Sequence, residues 1–220
     1  MLYVFYHIPK CGGTTIKMYY LKYFSNEKCL KVWNTETANC NRDNFDQIEK
    51  INDFKCVIGH LDFNSSLKNK EFNHLFLSGN IMSHSVVREP IDRIISLYNY
   101  IRNEEKHPSH QEILSVEPWP FLKKQPANFQ SKWLGIDYFK TIDNLKKNIN
   151  VISLEQSNEY FKCFFEREFN FSIPLMKKIN VTQKNKKDLF DKSLLEKWQK
   201  KELKEKHFLD YDLYNSSFLI

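Results

Sequence analysis

The chain has 220 residues, 41% of them apolar and 15% aromatic, an ordinary balance for a folded protein that excludes wholesale disorder. At this length a single domain over residues 1–220 with a substantial core is the simplest expectation. No run of eighteen apolar residues occurs, so no membrane span is expected, and the net charge of +6 suits a protein that handles anions: nucleotide, sulfate, acidic glycan or nucleic acid.

Residues 2–8 are apolar, aromatic and β-branched, which predicts a buried strand ended by Pro9, a residue with no N–H to donate. This run lacks a basic leader and a small-residue cleavage site, so it reads as a core strand and not as a signal peptide. Gly12 and Gly13 permit a tight turn and a close backbone approach. From Thr14 onward, Ile16, Met18, Tyr19, Leu21 and Tyr23 suit a helix packed on one side. Strand, glycine turn and helix start together make an arrangement that holds a phosphate through backbone N–H groups and the helix dipole. Lys10 adds a mobile positive charge there, and Thr14 and Thr15 add hydroxyl donors.

Residues 25–50 are polar and predict loop with short helical pieces, for example over 43–51. A short strand is expected at 54–58, ended by Gly59, with His60 directly after it. Residues 64–73 read as a polar connection, and 81–87 as a further strand followed by Arg88. Pro90 suits the first turn of a helix in which Ile91, Ile94, Ile95, Tyr98 and Ile101 face inward. Asp92, Arg93, Ser96, Asn99 and Asn103 then fall on the other side. Four prolines make 107–126 loop-rich, the kind of stretch that often binds ligand or closes over it. Further on, a helix at 141–147, a strand at 151–154, a helix at 158–169 and a last helix at 193–206 complete the reading. In that last helix Leu194, Leu195, Trp198 and Leu203 are expected inward.

Strands alternating with helices indicate an α/β protein with a mainly parallel central sheet flanked by helices. Ligands of such folds bind beyond the carboxyl ends of the strands. The Lys10–Thr15 loop, His60 and Arg88 all fall at strand ends, which argues for one site. The five cysteines are scattered and contain no C-x-x-C pair, so reduced thiols in the cytoplasm are the expectation, with a Cys29–Cys40 bridge as the minor alternative. A nucleotide triphosphatase P-loop would place Lys after its second glycine, followed by Ser or Thr. Here Lys10 precedes the glycines, which disfavours ATP hydrolysis. DNA binding is disfavoured too, because there is no helix-turn-helix signal and no concentrated basic stripe.

His7-Ile8-Pro9-Lys10-Cys11-Gly12-Gly13-Thr14-Thr15 resembles the 5′-phosphosulfate loop of the carbohydrate sulfotransferases, H-I-P-K-T-G-G-T-S. Arg88-Glu89-Pro90-Ile91-Asp92-Arg93-Ile94-Ile95-Ser96-Leu97-Tyr98 is similar to that family's 3′-phosphate segment, R-x-P-x-x-R-x-x-S-x-Y. Weaker similarities lie at Gly59-His60, at Asn128-Phe129-Gln130-Ser131 and at Asp210-Tyr211-Asp212-Leu213-Tyr214. The departures are Cys11 for the usual Thr and Thr15 for the usual Ser. The resemblance implies a P-loop-like three-layer fold and a sulfotransferase that uses 3′-phosphoadenosine 5′-phosphosulfate (PAPS) and no metal. Its acceptor would be a hydroxyl, on a glycan or small glycoconjugate; nucleic acid is not implied. It further implies Lys10, Cys11, Gly12, Gly13, Thr14 and Thr15 around the 5′-phosphosulfate, with Lys10 also assisting the leaving oxygen. Arg88 and Ser96 would hold the 3′-phosphate, His60 would be the general base, and Thr182 would line the nucleotide pocket. A degenerate P-loop kinase or NTPase and an inactive anion- or glycan-binding module are the alternatives. Acceptor identity and oligomeric state stay open.

Overall fold

Strand β1 (Leu2–Tyr6) lies at the centre of the sheet in the computed structural model of the protein, which describes residues 1–33, 40–172 and 189–218. Its partners are β2 (Cys29–Val32), β3 (Cys56–Gly59), β4 (Ile81–Val87) and β5 (Ile149–Ser153). Among the described residues these five strands pair in the order β2-β3-β1-β4-β5, every pair parallel. The chain therefore starts in the middle of the sheet, builds one side and then the other. The carboxyl ends of β1, β3 and β4 come to lie side by side, at the point where ligands of open α/β sheets bind.

Helices α1 (Gly13–Phe24), α2 (Phe63–Ser66), α3 (Lys70–Leu77) and α4 (Pro90–Asn103) connect or follow the first strands. They are succeeded by α5 (His110–Leu114), α6 (Pro118–Lys124), α7 (Phe129–Trp133), α8 (Ile136–Phe139) and α9 (Ile142–Asn148). After β5 come α10 (Leu154–Phe169), α11 (Lys197–Lys206) and α12 (Phe208–Ser216). The period-two alternation of β1 sends neighbouring side chains into opposite layers. Phe5 packs on Tyr20 of α1 and Phe161 of α10, whereas Tyr6 packs on Phe63 of α2 and bonds Ser66 at 3.2 Å. This is the three-layer α/β arrangement expected, with a main core that runs from Leu2 to Leu213.

Several local expectations are corrected. The polar stretch 25–50 contains β2, an edge strand of only four residues, and 64–73 overlaps α2 and α3. Their inward anchors are too few for a periodicity to show: in α3 only Phe72 is buried. The proline-rich stretch holds α5 and α6, because Pro118 sits in the first turn of α6, where a missing N–H costs nothing. In α4 the predicted inward residues are buried, but so are Arg93 and Asn99. Asn99 exchanges hydrogen bonds with the backbone of Phe190, which covers that side of the helix. The last predicted helix starts at Lys197, leaving Leu194 and Trp198 exposed while Leu195 and Leu203 are buried. The cysteine expectation is also corrected. Cys29 and Cys56 are register partners on adjacent strands, 4.8 Å apart at Cα, and form a disulfide; Cys11, Cys40 and Cys163 are free.

Candidate active site

A cavity of about 760 Å³ opens at the carboxyl ends of β1, β3 and β4. Lys10, Gly12, Gly13, Thr14, Thr15, His60, Arg88 and Ser96 all line it, so two motifs 78 residues apart share one wall. Among the described residues predicted for the site, Cys11 alone is absent from the lining.

The loop after β1 is shaped by backbone conformation. Lys10 and Gly12 both adopt left-handed backbone, with φ of 70° and 74°. That costs little at glycine but about 1–2 kcal/mol at lysine, so the surroundings must hold Lys10 there. Gly13 opens α1, and a Cβ at that position would stand 2.0 Å from the His7 ring. Gly12 brings no capping side chain to this helix end, and Gly12 to Thr15 line the cavity there, on the positive side of the helix dipole. His7 itself is buried, and burial pushes its pKa down to about 3, so it packs as a neutral ring behind the loop.

Lys10 points over the Tyr100 ring, its Nζ 3.9 Å from the centroid. Burial and then the nearby Arg88 lower its pKa to about 8. The ammonium therefore persists at neutral pH while remaining close to titration. Arg88 reaches back, with Nη1 donating to the Lys10 carbonyl at 3.4 Å. Ser96, on the second turn of α4, lines the same cavity, and both Arg88 and Ser96 border an adjoining space of about 350 Å³.

His60 is placed by the sheet. Tyr6 and Gly59 are register partners, so His7 and His60 leave their strands together and their rings stand 4.6 Å apart. The His60 N–H donates to Val32 O at 2.8 Å, which anchors it to β2. Burial, Arg42 and Lys17 lower its pKa to about 4, so the imidazole is neutral and free to accept a proton. Trp33 lies beside it at 5.9 Å, and Lys17 Nζ stands 4.3 Å over that indole.

Cys11 is corrected as a ligand-facing residue. Its N–H donates to Ile8 O at 3.2 Å, and its buried thiol turns away to Gln130 Oε1 at 3.2 Å. Burial pushes that thiol up to about 12, which keeps it an S–H donor and argues against a nucleophile. Gln130 Oε1 also accepts the Arg88 N–H at 2.9 Å, and its Nε2 donates to Arg88 O at 2.8 Å. Asp210 of α12 then accepts from Gln130 N, Ser131 N and Ser131 Oγ at 3.1, 2.8 and 2.8 Å. Sequence reading reached the segments of Gln130 and Asp210 only as weak similarities, and missed Lys17, Trp33 and Tyr100 altogether. Tyr100, in the second half of α4, carries no local signal of facing a lysine 90 residues earlier.

Elsewhere, His84 is buried in β4 and its Nδ1 bonds the Tyr20 hydroxyl, a structural place. His107 lines the cavity against Tyr100, whereas His110 is buried and bonds Ile101 O. Arg93 is buried with its guanidinium 4.4 Å over the Phe129 ring. Thr182 and the Lys184–Lys187 run lie outside the described residues. Among the described residues no helix is long and apolar enough to cross a membrane.

The profile of the Sulfotransferase family matches residues 3–132, more than half of the chain. Among solved structures, mouse sulfotransferase SULT7A1 complexed with PAP is similar, with a TM-score of 0.45 and 15% identity. That match covers 76% of this chain and 55% of the mouse chain, so the protein spans little more than half of that relative's length. No curated protein is significantly similar in sequence.

Proposed function

The chain belongs to the sulfotransferase family, and from that premise we propose that it moves the sulfuryl group of PAPS to a hydroxyl on a carbohydrate acceptor. The observation that carries this reading is the convergence of the Lys10–Thr15 loop, His60 and Arg88 on one cavity. Each group has chemistry that suits the reaction. The N–H groups at the start of α1 hold the 5′-phosphate, and the Arg88 guanidinium with the Ser96 hydroxyl holds the 3′-phosphate. Sulfuryl transfer is an in-line displacement in which negative charge gathers on the bridging oxygen as its bond to sulfur breaks. Lys10 Nζ neutralises that oxygen, and His60 takes the hydroxyl proton as the new S–O bond forms. The low pKa of His60 keeps it unprotonated at neutral pH, and the anionic donor raises its proton affinity in the complex by attracting the imidazolium.

Trp33 and Tyr100 add aromatic walls to the cavity, flat apolar faces that suit a sugar ring. No metal is assigned a step, because Lys10 and Arg88 carry the neutralising charge. Residues 1–220 act as one sulfotransferase domain, supported by a core that joins Leu2 to Leu213. For location, the cytoplasmic expectation competes with the Cys29–Cys56 disulfide, a bond that persists in oxidising compartments. Three thiols titrated in the denatured, unreduced protein would favour such a compartment; five would return the enzyme to the cytoplasm.

The function is tested by thermal shift with PAP in the absence of magnesium, followed by transfer of labelled sulfate to a glycan panel. PAP stabilisation and a sulfated product are expected. A shift with ATP and magnesium but not with PAP indicates a kinase or NTPase, and PAP binding with no sulfated product indicates a binding module. Lys10→Met and His60→Asn each lower kcat by about 10²-fold or more, the scale of one electrostatic or acid–base group.

A further inference from the structure

Gln130 is fully buried between the two nucleotide motifs, 119 residues from Cys11 and 42 from Arg88. The hydrogen-bond partners of its carboxamide belong to those motifs. Its Oε1 accepts from the Cys11 thiol and from the Arg88 N–H, while its Nε2 donates to the Arg88 carbonyl. The orientation of this carboxamide is dictated, since a backbone N–H only donates and a carbonyl only accepts. Arg88 needs such a partner because β4 ends at Val87 and α4 starts at Pro90, leaving its peptide groups outside both ladders. Cys11 needs one because it adjoins Lys10, whose left-handed backbone persists only where neighbours enforce it. Gln130 is itself immobilised by Asp210, which holds the first-turn amides of α7, while Tyr211 on the same helix bonds Glu89 next to Arg88.

We infer that Gln130 is a positioning residue that couples the two phosphate subsites, so that the loop at Lys10–Thr15 and the Arg88 fork adopt their binding geometry together. Asp210 and α12 make the C-terminal end of the chain part of that coupling. The inference rests on the PAPS reading for its ligand, and its readout is cooperativity between subsites, which a residue that only fills space does not supply.

The test measures PAP, 5′-AMP and 3′-AMP binding by calorimetry to the wild-type protein and to Gln130→Met, a substitution close in volume without the amide. The loss for PAP is expected to exceed the product of the two single-phosphate losses by about tenfold, within the usual 5–150-fold of a coupling between sites. A PAP loss no larger than that product overturns the proposal. Cys11→Val removes only the loop's end of the connection; it shifts PAP binding the same way and adds nothing further in combination with Gln130→Met. Hydrogen exchange without nucleotide provides a second measurement. In Gln130→Met the Arg88 amide and those of residues 11–15 should lose protection together, and loss at Arg88 alone overturns the coupling. A wild-type protein that binds none of the three nucleotides refutes the PAPS reading, while the exchange measurement still decides the role of Gln130.

Discussion

The segment after β1 and the segment after β4 face the same cavity from neighbouring strand ends, yet they would hold their phosphates by different means. The first is a backbone device: left-handed residues, a glycine pressed on His7 and an uncapped helix start. The second is a side-chain device: a guanidinium and a hydroxyl projected from a strand end and the helix that follows it. A backbone cradle tolerates changes of side chain that keep its turn, as Cys11 for Thr illustrates, but not a change of shape. A side-chain fork tolerates small shifts of backbone but not loss of charge.

Gly13→Ala is the most damaging way to break the first device. Its methyl group would meet the buried His7 ring, costing about 1–3 kcal/mol as overpacking. Relieving that clash displaces the loop amides, and displacement by about 1 Å lowers turnover by about 10²-fold. Steady-state kinetics with a melting curve check this; normal kcat in a folded Gly13→Ala protein would remove the backbone device. Arg88→Gln breaks the second with a smaller effect. Loss of charge-assisted bonds worth about 1.5–3 kcal/mol weakens PAP binding by about tenfold or more. Isothermal calorimetry should show this loss for PAP and for 3′-AMP, with 5′-AMP far less affected; equal losses for all three would erase the division between the segments.

The pH profile of kcat/KM sharpens the comparison without any substitution. As the proposed base, His60 must be neutral to accept a proton, so activity is expected to fall as pH drops through about 4. Lys10, proposed to neutralise the leaving oxygen, must be charged, so activity is expected to fall as pH rises through about 8. Between these limits the profile is flat, and each unit beyond them costs about tenfold. In Lys10→Arg the alkaline limb should disappear, because guanidinium does not lose its proton in this range. A limb that stays near 8 in that variant assigns it to another group.

The helices and strands nearest the cavity were the most legible parts of the sequence. Residues 2–8 and 81–87 are dense in β-branched and aromatic residues, and the Ile91–Ile101 pattern repeats at helical spacing, so local chemistry alone marks them. The edge strand β2 and helix α3 were not legible, since each buries few residues and takes its conformation from what it packs against. The candidate site divides the same way. Lys10, the glycines, Arg88 and Ser96 lie in two continuous motifs, while Trp33 and Tyr100 reach the cavity with no local sign of it and Gln130 reaches its wall from a segment marked only by a weak similarity.

The opening strand, the glycine turn and the helix after it were determined by the sequence itself. Sterics at Pro9, Gly12 and Gly13 act over a few residues and leave few other conformations open. Only the tertiary structure decided that Cys11 would turn inward to Gln130, that Tyr100 would hold Lys10 and that Cys29 would meet Cys56. Those pairings join residues 27 to 119 positions apart, and the sheet order brings them together. No short-range preference specifies such contacts; they arise when strands and helices bury their apolar faces in one core, which sets where every polar group on their far ends must find a partner.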